Sequence, residues 1–355
     1  MTTRKQAGSP DDEGPWNASN PLRIDLALQG GGSHGAFTWG VLDRLLDEDW
    51  LEIAAISGTS AGAMNAAFLA DGYAAGGRTG ARDALDRFWK AVSEGARFSP
   101  FQRGPMDVLL GRWTLDNSPA YIAIDMMTRL FSPYDLNPSG KNPLRTMLSE
   151  LIDFERLATS PVGLFVTATN VQTGRGRVFR NADMSPDVLL ASACLPTMFQ
   201  AVEINGEPYW DGGFSGNPTL TPLVRESDVP DTILVQINPS IRPGTPKTAA
   251  EILNRLNEIS FNATLMKEAR MLALLKQVAD PGSGEGARWA KVRTHRIMTE
   301  MMVDLGASSK LNAEWPFLQM LKEEGRRAAD AFLVQHGADL GLRSTVDLDI
   351  LLSEV

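Results

Sequence analysis

The sequence is short of cysteine, of histidine and of long apolar runs. Cys194 is the single cysteine, so the chain cannot form a disulfide within itself. It has no run of about 18 apolar residues, and we therefore expect no transmembrane helix. The net charge of −9 disfavours a nucleic-acid backbone as the main ligand, because such binding needs clustered Lys and Arg. The same charge disfavours broad attraction to anionic membranes.

The first 21 residues are polar and rich in Gly, Ser, Pro, Asp and Asn. They lack the apolar stretch of a secretory signal peptide, so we predict that residues 1–21 form a disordered tail. We expect a cytoplasmic location, with transient peripheral contact to a membrane surface. Hydrophobic residues make up 43% of the chain and charged residues 22%, which is typical of a globular protein with a sizeable core.

The beginning of the chain predicts two strands that alternate with two helices. Short apolar runs at residues 24–29 and 53–57 have the length of buried strands. Each is followed by a segment with helical spacing of its apolar residues, at 35–48 and 61–74. This order favours a largely parallel sheet that is covered by helices.

The rest of the chain divides into a mixed part and a mainly helical part. Further strands are predicted at residues 162–169, 175–180, 200–204, 207–210 and 232–237. Beyond residue 248 the pattern is helical, apart from a loop at 281–286 and a last strand at 291–298. We therefore predict an α/β catalytic domain over residues 22–240 and a mainly helical C-terminal extension, 241–355, packed on it.

The segment Gly58-Thr59-Ser60-Ala61-Gly62 matches the pattern G-x-S-x-G and joins a predicted strand to a predicted helix. A serine nucleophile needs this setting, because it must sit on a tight turn between strand and helix. Gly58 and Gly62 let the neighbouring backbones pass closely, and the helix N-terminus favours a developing oxyanion. The alternative is that Ser60 only caps the helix. We favour Ser60 as the nucleophile of a hydrolase that acts on acyl esters.

A glycine-rich segment also joins a strand to a helix, and it reads Gly30-Gly31-Gly32-Ser33-His34-Gly35. Free backbone N–H groups in such a loop can point at an anion, which predicts an oxyanion hole. A dinucleotide-binding turn is the competing interpretation, because the glycines also fit G-x-G-x-x-G. That turn needs an acidic residue near the end of the second strand, whereas Glu52 lies at its start. A purely structural glycine turn is the third alternative.

A nucleophilic serine needs a base, and the sequence offers three histidines and one well-placed aspartate. His295 lies inside a predicted strand and His336 near a helix end, so both look structural. Asp211 follows a predicted strand, and Gly212 and Gly213 let the chain turn sharply after it. An ordinary β-turn is the alternative for this Asp-Gly pair.

Together these segments resemble the patatin-like phospholipase family. Its motifs are a loop of the type G-G-G-x-Arg/Lys-G, the elbow G-x-S-x-G and a D-G-G or D-G-A segment, in that order. The block Ala191-Ser192-Ala193-Cys194-Leu195-Pro196 is similar to the A-S-x-x-x-P block of that family. The resemblance extends over about residues 22–237.

The resemblance implies a three-layer α/β/α sandwich and a Ser60–Asp211 catalytic dyad that works without a histidine. Ser60 would attack the ester carbonyl, and Asp211 would take its proton and later activate water. Backbone N–H groups of the loop would bind the oxyanion. The substrates would be lipid acyl esters, and neither a cofactor nor a metal is implied.

His34 departs from the family pattern, which has Arg or Lys at this position. A cation there could assist the anion site or steer a phosphate head group, and histidine is only partly charged near neutral pH. Phospholipid preference is therefore less strongly implied than ester hydrolysis. Two other interpretations stay open, namely a depolymerase or esterase for a storage polyester and a non-catalytic lipid-binding protein.

Between the elbow and Asp211 the chain is rich in aromatic residues and methionine. We expect part of this stretch to form an acyl-chain pocket or a lid, because such side chains suit irregular apolar cavities. Ordinary core packing is the alternative for each of them. The residues in question are Phe98, Phe101, Met106, Trp113, Tyr121, Met126, Met127 and Phe131.

Overall fold

A computed structural model describes residues 16–282 and 284–347, except for the side chains of Phe98 and Ala250. The predicted disordered tail falls mostly on residues 1–15, which lie outside the described part. Its last residues are described: Asn17 and Asn20 form an isolated backbone bridge, and Trp16 packs against the core.

The described residues contain one sheet of eight strands with the order β5-β6-β3-β2-β1-β7-β8, and β4 pairs with β3 beside this path. The strands are β1 (Leu22–Leu28), β2 (Leu51–Gly58), β3 (Gly163–Asn170), β4 (Gly176–Arg180), β5 (Val202–Ile204), β6 (Glu207–Asp211), β7 (Asp231–Val235) and β8 (Arg293–Ile297). Strands β3, β2, β1, β7 and β8 are mutually parallel, whereas β4 and β6 run antiparallel to β3, and β5 antiparallel to β6. The predicted, largely parallel sheet is therefore confirmed.

Helices cover both faces of this sheet. They are α1 (Gly35–Leu45), α2 (Ala61–Gly95), α3 (Pro105–Leu109), α4 (Pro119–Leu130), α5 (Pro133–Leu136), α6 (Pro143–Leu151), α7 (Phe154–Ala158), α8 (Pro186–Ser192), α9 (Thr221–Glu226), α10 (Ala249–Val278), α11 (Gly284–Lys291), α12 (Met301–Asp304) and α13 (Trp315–His336). Helix α2 is interrupted at Gly76 and Gly77, just after the helical segment that the sequence predicts at residues 61–74.

The core lies on the two sides of β1, because successive side chains of a strand point to opposite faces. Leu26 and Leu28 belong to the large cluster that includes α1, α2, α8 and α13. Ala27 belongs to a small cluster with Leu223 of α9 on the other face. The result is the three-layer α/β/α arrangement that the family resemblance implies.

The region beyond residue 240 contributes a strand as well as helices. Strand β8 extends the central sheet by pairing with β7. Helix α13 packs closely on α1, since a Cβ on Gly325 would lie 2.0 Å from the carbonyl oxygen of Phe37. Helix α11 begins inside the segment predicted as a loop, because Trp289 is buried against Leu272 of α10. The boundary at residue 240 between a catalytic domain and an extension stays a prediction.

None of the helices in residues 16–282 and 284–347 combines the length and the apolar character needed to cross a bilayer.

Candidate active site

Ser60 lies in the turn between β2 and α2 and has a backbone conformation that side chains rarely adopt. Its φ is 54° and its ψ is −123°. The turn is tight: a Cβ on Gly62 would lie 2.2 Å from the carbonyl oxygen of Leu28. Such strain costs about 1–3 kcal/mol and persists only where the surroundings enforce it. The turn therefore presents the Ser60 side chain at the end of the parallel strands, as a nucleophile elbow requires.

The elbow is held from the side by Ser192, at the end of α8. The Ser60 N–H donates to Ser192 Oγ at 2.9 Å, and the Ser192 hydroxyl donates to the carbonyl of Thr167 at 2.7 Å. Ser192 is fully buried. Ser192, in the segment Ala191–Pro196, therefore fixes the backbone of the turn.

The strain at Ser60 gives a stability prediction. Ser60→Gly should be more stable than Ser60→Ala by about 1 kcal/mol, because glycine adopts a positive φ freely, although its larger unfolded-state entropy offsets part of the gain. The measurement is chemical denaturation of the two variants, both of which lack the hydroxyl. Equal midpoints would contradict strain at this position.

The loop after β1 lies directly beside the elbow. A Cβ on Gly30 would be 2.7 Å from Ser60 Cβ, so only glycine permits this approach. The N–H groups of Gly30, His34 and Gly35 already donate, to Asn217 Oδ1 at 2.6 Å and to backbone carbonyls of the loop. Among the described residues, no acceptor meets the N–H groups of Gly31, Gly32 and Ser33.

Three amide side chains brace this loop, and the sequence did not single them out. Asn217 accepts from the Gly30 N–H, and Asn238 Nδ2 donates to the Gly30 carbonyl at 2.8 Å. Gln29 Oε1 accepts from the N–H groups of Ile237 and Asn238 at 3.0 and 2.9 Å. Asn217 and Asn238 each precede a proline. An Asn-Pro dipeptide is typical of a turn, so this signal in the sequence could have located the two loops that carry them.

Asp211 ends β6, beside β3, and its carboxylate is 1% exposed. Asp211 Oδ1 accepts the Gly213 N–H at 2.7 Å. Burial raises the pKa of Asp211 to about 7. Hydrogen bonds from the Gly213 N–H and the Ser60 side chain, together with the positive charge of Lys310, lower this pKa but do not cancel the effect of burial. A buried carboxyl whose pKa is raised towards neutrality, next to a serine, can exchange a proton with that serine.

The glycines that follow Asp211 allow close contacts on both sides. A Cβ on Gly212 would lie 2.1 Å from the carbonyl oxygen of Thr167, and one on Gly213 would lie 2.1 Å from the ring of Phe261. The structure thus brings Ser60, Asp211 and the Gly30–Gly35 segment to one end of the sheet.

The three motifs that meet at this end of the sheet also fall within one known protein family. A family model described as patatin-like phospholipase matches residues 26–224, which is more than half of the chain and includes all three motifs. The chain belongs to the patatin-like phospholipase family. At the family level it is therefore a lipid acyl hydrolase, a kind of carboxylic ester hydrolase.

Two solved structures are similar to this patatin-like chain. VipD from Legionella pneumophila is 16% identical with a TM-score of 0.40, over 89% of this chain and 68% of that one. ExoU from Pseudomonas aeruginosa, solved in complex with SpcU, is 19% identical with a TM-score of 0.28, over 94% of this chain and 74% of that one. No curated protein sequence matches the chain. Because both TM-scores are low, the family assignment rests on the sequence model.

The three histidines of this patatin-like chain have partners other than Ser60. His295 Nε2 is 3.1 Å from Asp231 Oδ1 and its Nδ1 is 3.2 Å from Thr345 Oγ1. His336 Nδ1 is 3.1 Å from Asp339 Oδ2. These contacts agree with the structural roles that the sequence suggested for His295 and His336.

His34, at the position where the family pattern has a cation, is buried and neutral. It is 2% exposed, and its Nε2 lies 2.8 Å from Ser309 Oγ. Burial, together with the nearby positive charge of Lys310, lowers the pKa of His34 to about 3. The expectation of a partly charged His34 is wrong for this reason, and the positive charge beside the loop belongs to Lys310.

The segment between α2 and α6 divides into packed and exposed side chains. Trp113 stacks on Phe317 with ring centroids 5.1 Å apart, and Phe101 contacts Tyr121. The exposed apolar side chains of this segment include Met106, Leu109, Met126, Met127, Leu130 and Phe131. The side chain of Phe98 is outside the described part of the structure.

Proposed function

We propose that the protein hydrolyses lipid acyl esters through a Ser60–Asp211 dyad and an acyl-enzyme, with no histidine in the proton transfers. The observation that carries the proposal is the pairing of a strained Ser60 with a buried Asp211 whose pKa is raised to about 7. An isolated buried carboxylate is costly, so its position beside a serine hydroxyl favours a role in proton transfer.

In the first half of the reaction, Asp211 accepts the hydroxyl proton while Ser60 Oγ attacks the carbonyl carbon. The tetrahedral oxyanion meets the unengaged N–H groups of Gly31, Gly32 and Ser33, together with that of Ala61 at the start of α2. The alcohol then leaves with the proton from Asp211, and the acyl group stays on Ser60.

In the second half, Asp211 takes a proton from water, whose oxygen attacks the acyl carbon. The same N–H groups stabilise the second oxyanion. Collapse of this intermediate breaks the bond to Ser60 Oγ, which recovers the proton from Asp211 and releases the fatty acid. Asp211 must be ionised at the start of each half, so kcat should rise with pH through about 7.

The lipid is proposed to come from a membrane surface that the protein contacts transiently. The apolar side chains exposed on α3, α4 and Phe131 support this, because exposed apolar clusters commonly mark contact sites. The cytoplasmic location stays a prediction.

The test is product analysis of a mixed lipid extract incubated with wild-type protein and with Ser60→Ala. Wild type should release free fatty acids, and Ser60→Ala should release none above background. A parallel incubation with polyhydroxybutyrate separates the polyester alternative: release of hydroxy acids without release of lipid fatty acids would overturn the lipid assignment. A folded wild type that is inactive on both would support the non-catalytic, lipid-binding alternative.

A further inference from the structure

A cation from a part of the chain without any recognisable motif reaches the glycine loop. Lys310 belongs to a short 3₁₀ turn, Ala307–Leu311, that follows α12. A Cβ on Gly32 would lie 2.4 Å from the carbonyl oxygen of Lys310 and 3.3 Å from its Cβ. Gly32 also has a φ of 58°. The close contact between loop and turn therefore depends on the absence of a side chain at Gly32.

The ammonium of Lys310 is connected to the loop through one amide. Lys310 Nζ donates to Asn238 Oδ1 at 2.7 Å, and Asn238 Nδ2 donates to the carbonyl of Gly30. Within the described residues Asn238 is the one hydrogen-bond acceptor of Nζ, although an ammonium carries three N–H groups. Nζ also lies 5.8 Å from the ring centroid of Phe261, which contacts Gly213 beside Asp211.

The charges around Lys310 leave its ammonium available to an anion in the site. Glu258 and Arg242 are close, but Glu258 is bonded to both Arg242 and Arg255. Asp211 is the other neighbouring anion and His34 is neutral. Burial lowers the pKa of Lys310 to about 8, so the side chain is still mostly protonated at pH 7.

We propose that Lys310 is a positioning residue of the hydrolysis: it holds the Gly30–Gly32 loop through Asn238, and its charge stabilises the oxyanion. The inference rests on the proposed function. A positive charge in a site screened from water acts strongly on a developing oxyanion. The same charge favours the ionised form of Asp211, which is the form that accepts the proton.

The experiment compares Lys310→Met and Lys310→Arg with wild type on a small, uncharged, water-soluble ester. Lys310→Met should lower kcat by about 10- to 100-fold with little change in KM, since the oxyanion forms only after substrate binding. Lys310→Arg should recover most of kcat, because it keeps the charge. Thermal unfolding confirms that each variant is folded.

The dependence of kcat on pH provides a readout that a merely structural lysine would not change. Wild type should show an acid limb near pH 7 from Asp211 and an alkaline limb near pH 8 from Lys310. Lys310→Arg should lose the alkaline limb, because a guanidinium does not titrate there. Lys310→Met should move the acid limb to higher pH, because Asp211 loses a neighbouring positive charge.

Two outcomes would overturn the inference. In the first, Lys310→Met keeps the wild-type kcat on the neutral ester and raises KM only for a phosphate-bearing ester. That result would make Lys310 a ligand of the head group. The second is an unchanged kcat and pH profile in folded Lys310→Met. Failure of the proposed function is distinct, because wild type would then be no more active than Ser60→Ala.

Discussion

Asp211→Asn is expected to lower kcat by about a thousandfold at pH 8, with the protein still folded. The asparagine amide can occupy the same space beside Ser60, but it cannot accept the hydroxyl proton. General base catalysis is worth about 10²–10⁴-fold, and Asp211 serves as base in both halves of the proposed reaction. The measurement is steady-state hydrolysis of a soluble ester. Wild type and Asp211→Asn are compared at the same concentration of folded protein.

The same substitution should make the protein more stable at alkaline pH. Burial raises the pKa of Asp211 from 3.8 to about 7, so the folded state binds the proton more tightly than the unfolded state. In wild type, the contribution of Asp211 to folding stability is therefore complete below about pH 4, and it is lost as the pH rises through 7. At pH 8 the wild type must keep the buried Asp211 carboxylate ionised, which the shift in pKa puts at no more than about 4 kcal/mol of folding stability. The neutral asparagine avoids this cost.

Asp25→Asn is the matched control for Asp211→Asn. Asp25 in β1 is also fully buried, and burial likewise raises its pKa to about 7. Its Oδ1 accepts from Ser227 Oγ at 3.0 Å, and its Oδ2 has no hydrogen-bond partner among the described residues. Asp25→Asn should give a comparable gain in stability at pH 8 with unchanged kcat. A comparable loss of kcat in both variants would mean that removal of any buried carboxylate lowers kcat, and it would contradict a specific role of Asp211 as the base.

Gly30→Ala is expected to lower kcat by about a hundredfold. The added Cβ would lie 2.6 Å from the carbonyl oxygen of Thr59 and 2.7 Å from Ser60 Cβ, so the loop must move away from the elbow. A displacement of about 1 Å between reacting groups is enough for a loss of this size. The measurement is kcat on the same soluble ester, beside the unfolding free energy.

Gly76→Ala is the control for Gly30→Ala. Gly76 lies in the interruption of α2, and no described atom is within 4 Å of where its Cβ would be. Its φ of −159° is negative, so alanine there does not need the left-handed backbone that side chains rarely adopt. Gly76→Ala should keep wild-type kcat. If Gly30→Ala also kept it, the loop beside Ser60 would have no part in catalysis.

The parts of the site that could be predicted are those in which neighbouring residues carry the whole signal. The elbow around Ser60 and the loop at Gly30 each combine a motif with the end of a strand, and the parallel pairing of β1 with β2 brings the two together. Asp211 needed the family resemblance as well, since an Asp-Gly pair alone is equally typical of a turn.

The parts that could not be predicted are contacts between distant segments. Ser192 lies 132 residues from Ser60 in the chain, and Asn217 lies 187 residues from Gly30. Nothing in the residues around Lys310 distinguishes it from a lysine at the surface. Its role depends on the turn Ala307–Leu311 packing against Gly32, which only the tertiary structure reveals. Burial of His34 is of the same kind, because neither Ser309 nor Phe317 is near it in sequence.

The most direct test of the dyad is the site and rate of labelling by a fluorophosphonate probe, read by peptide mass mapping. The account predicts a single labelled residue, Ser60, no label in Ser60→Ala, and labelling about a hundredfold slower in Asp211→Asn. A folded wild type that stays unlabelled, a label on another serine, or equal labelling rates in wild type and Asp211→Asn would contradict it.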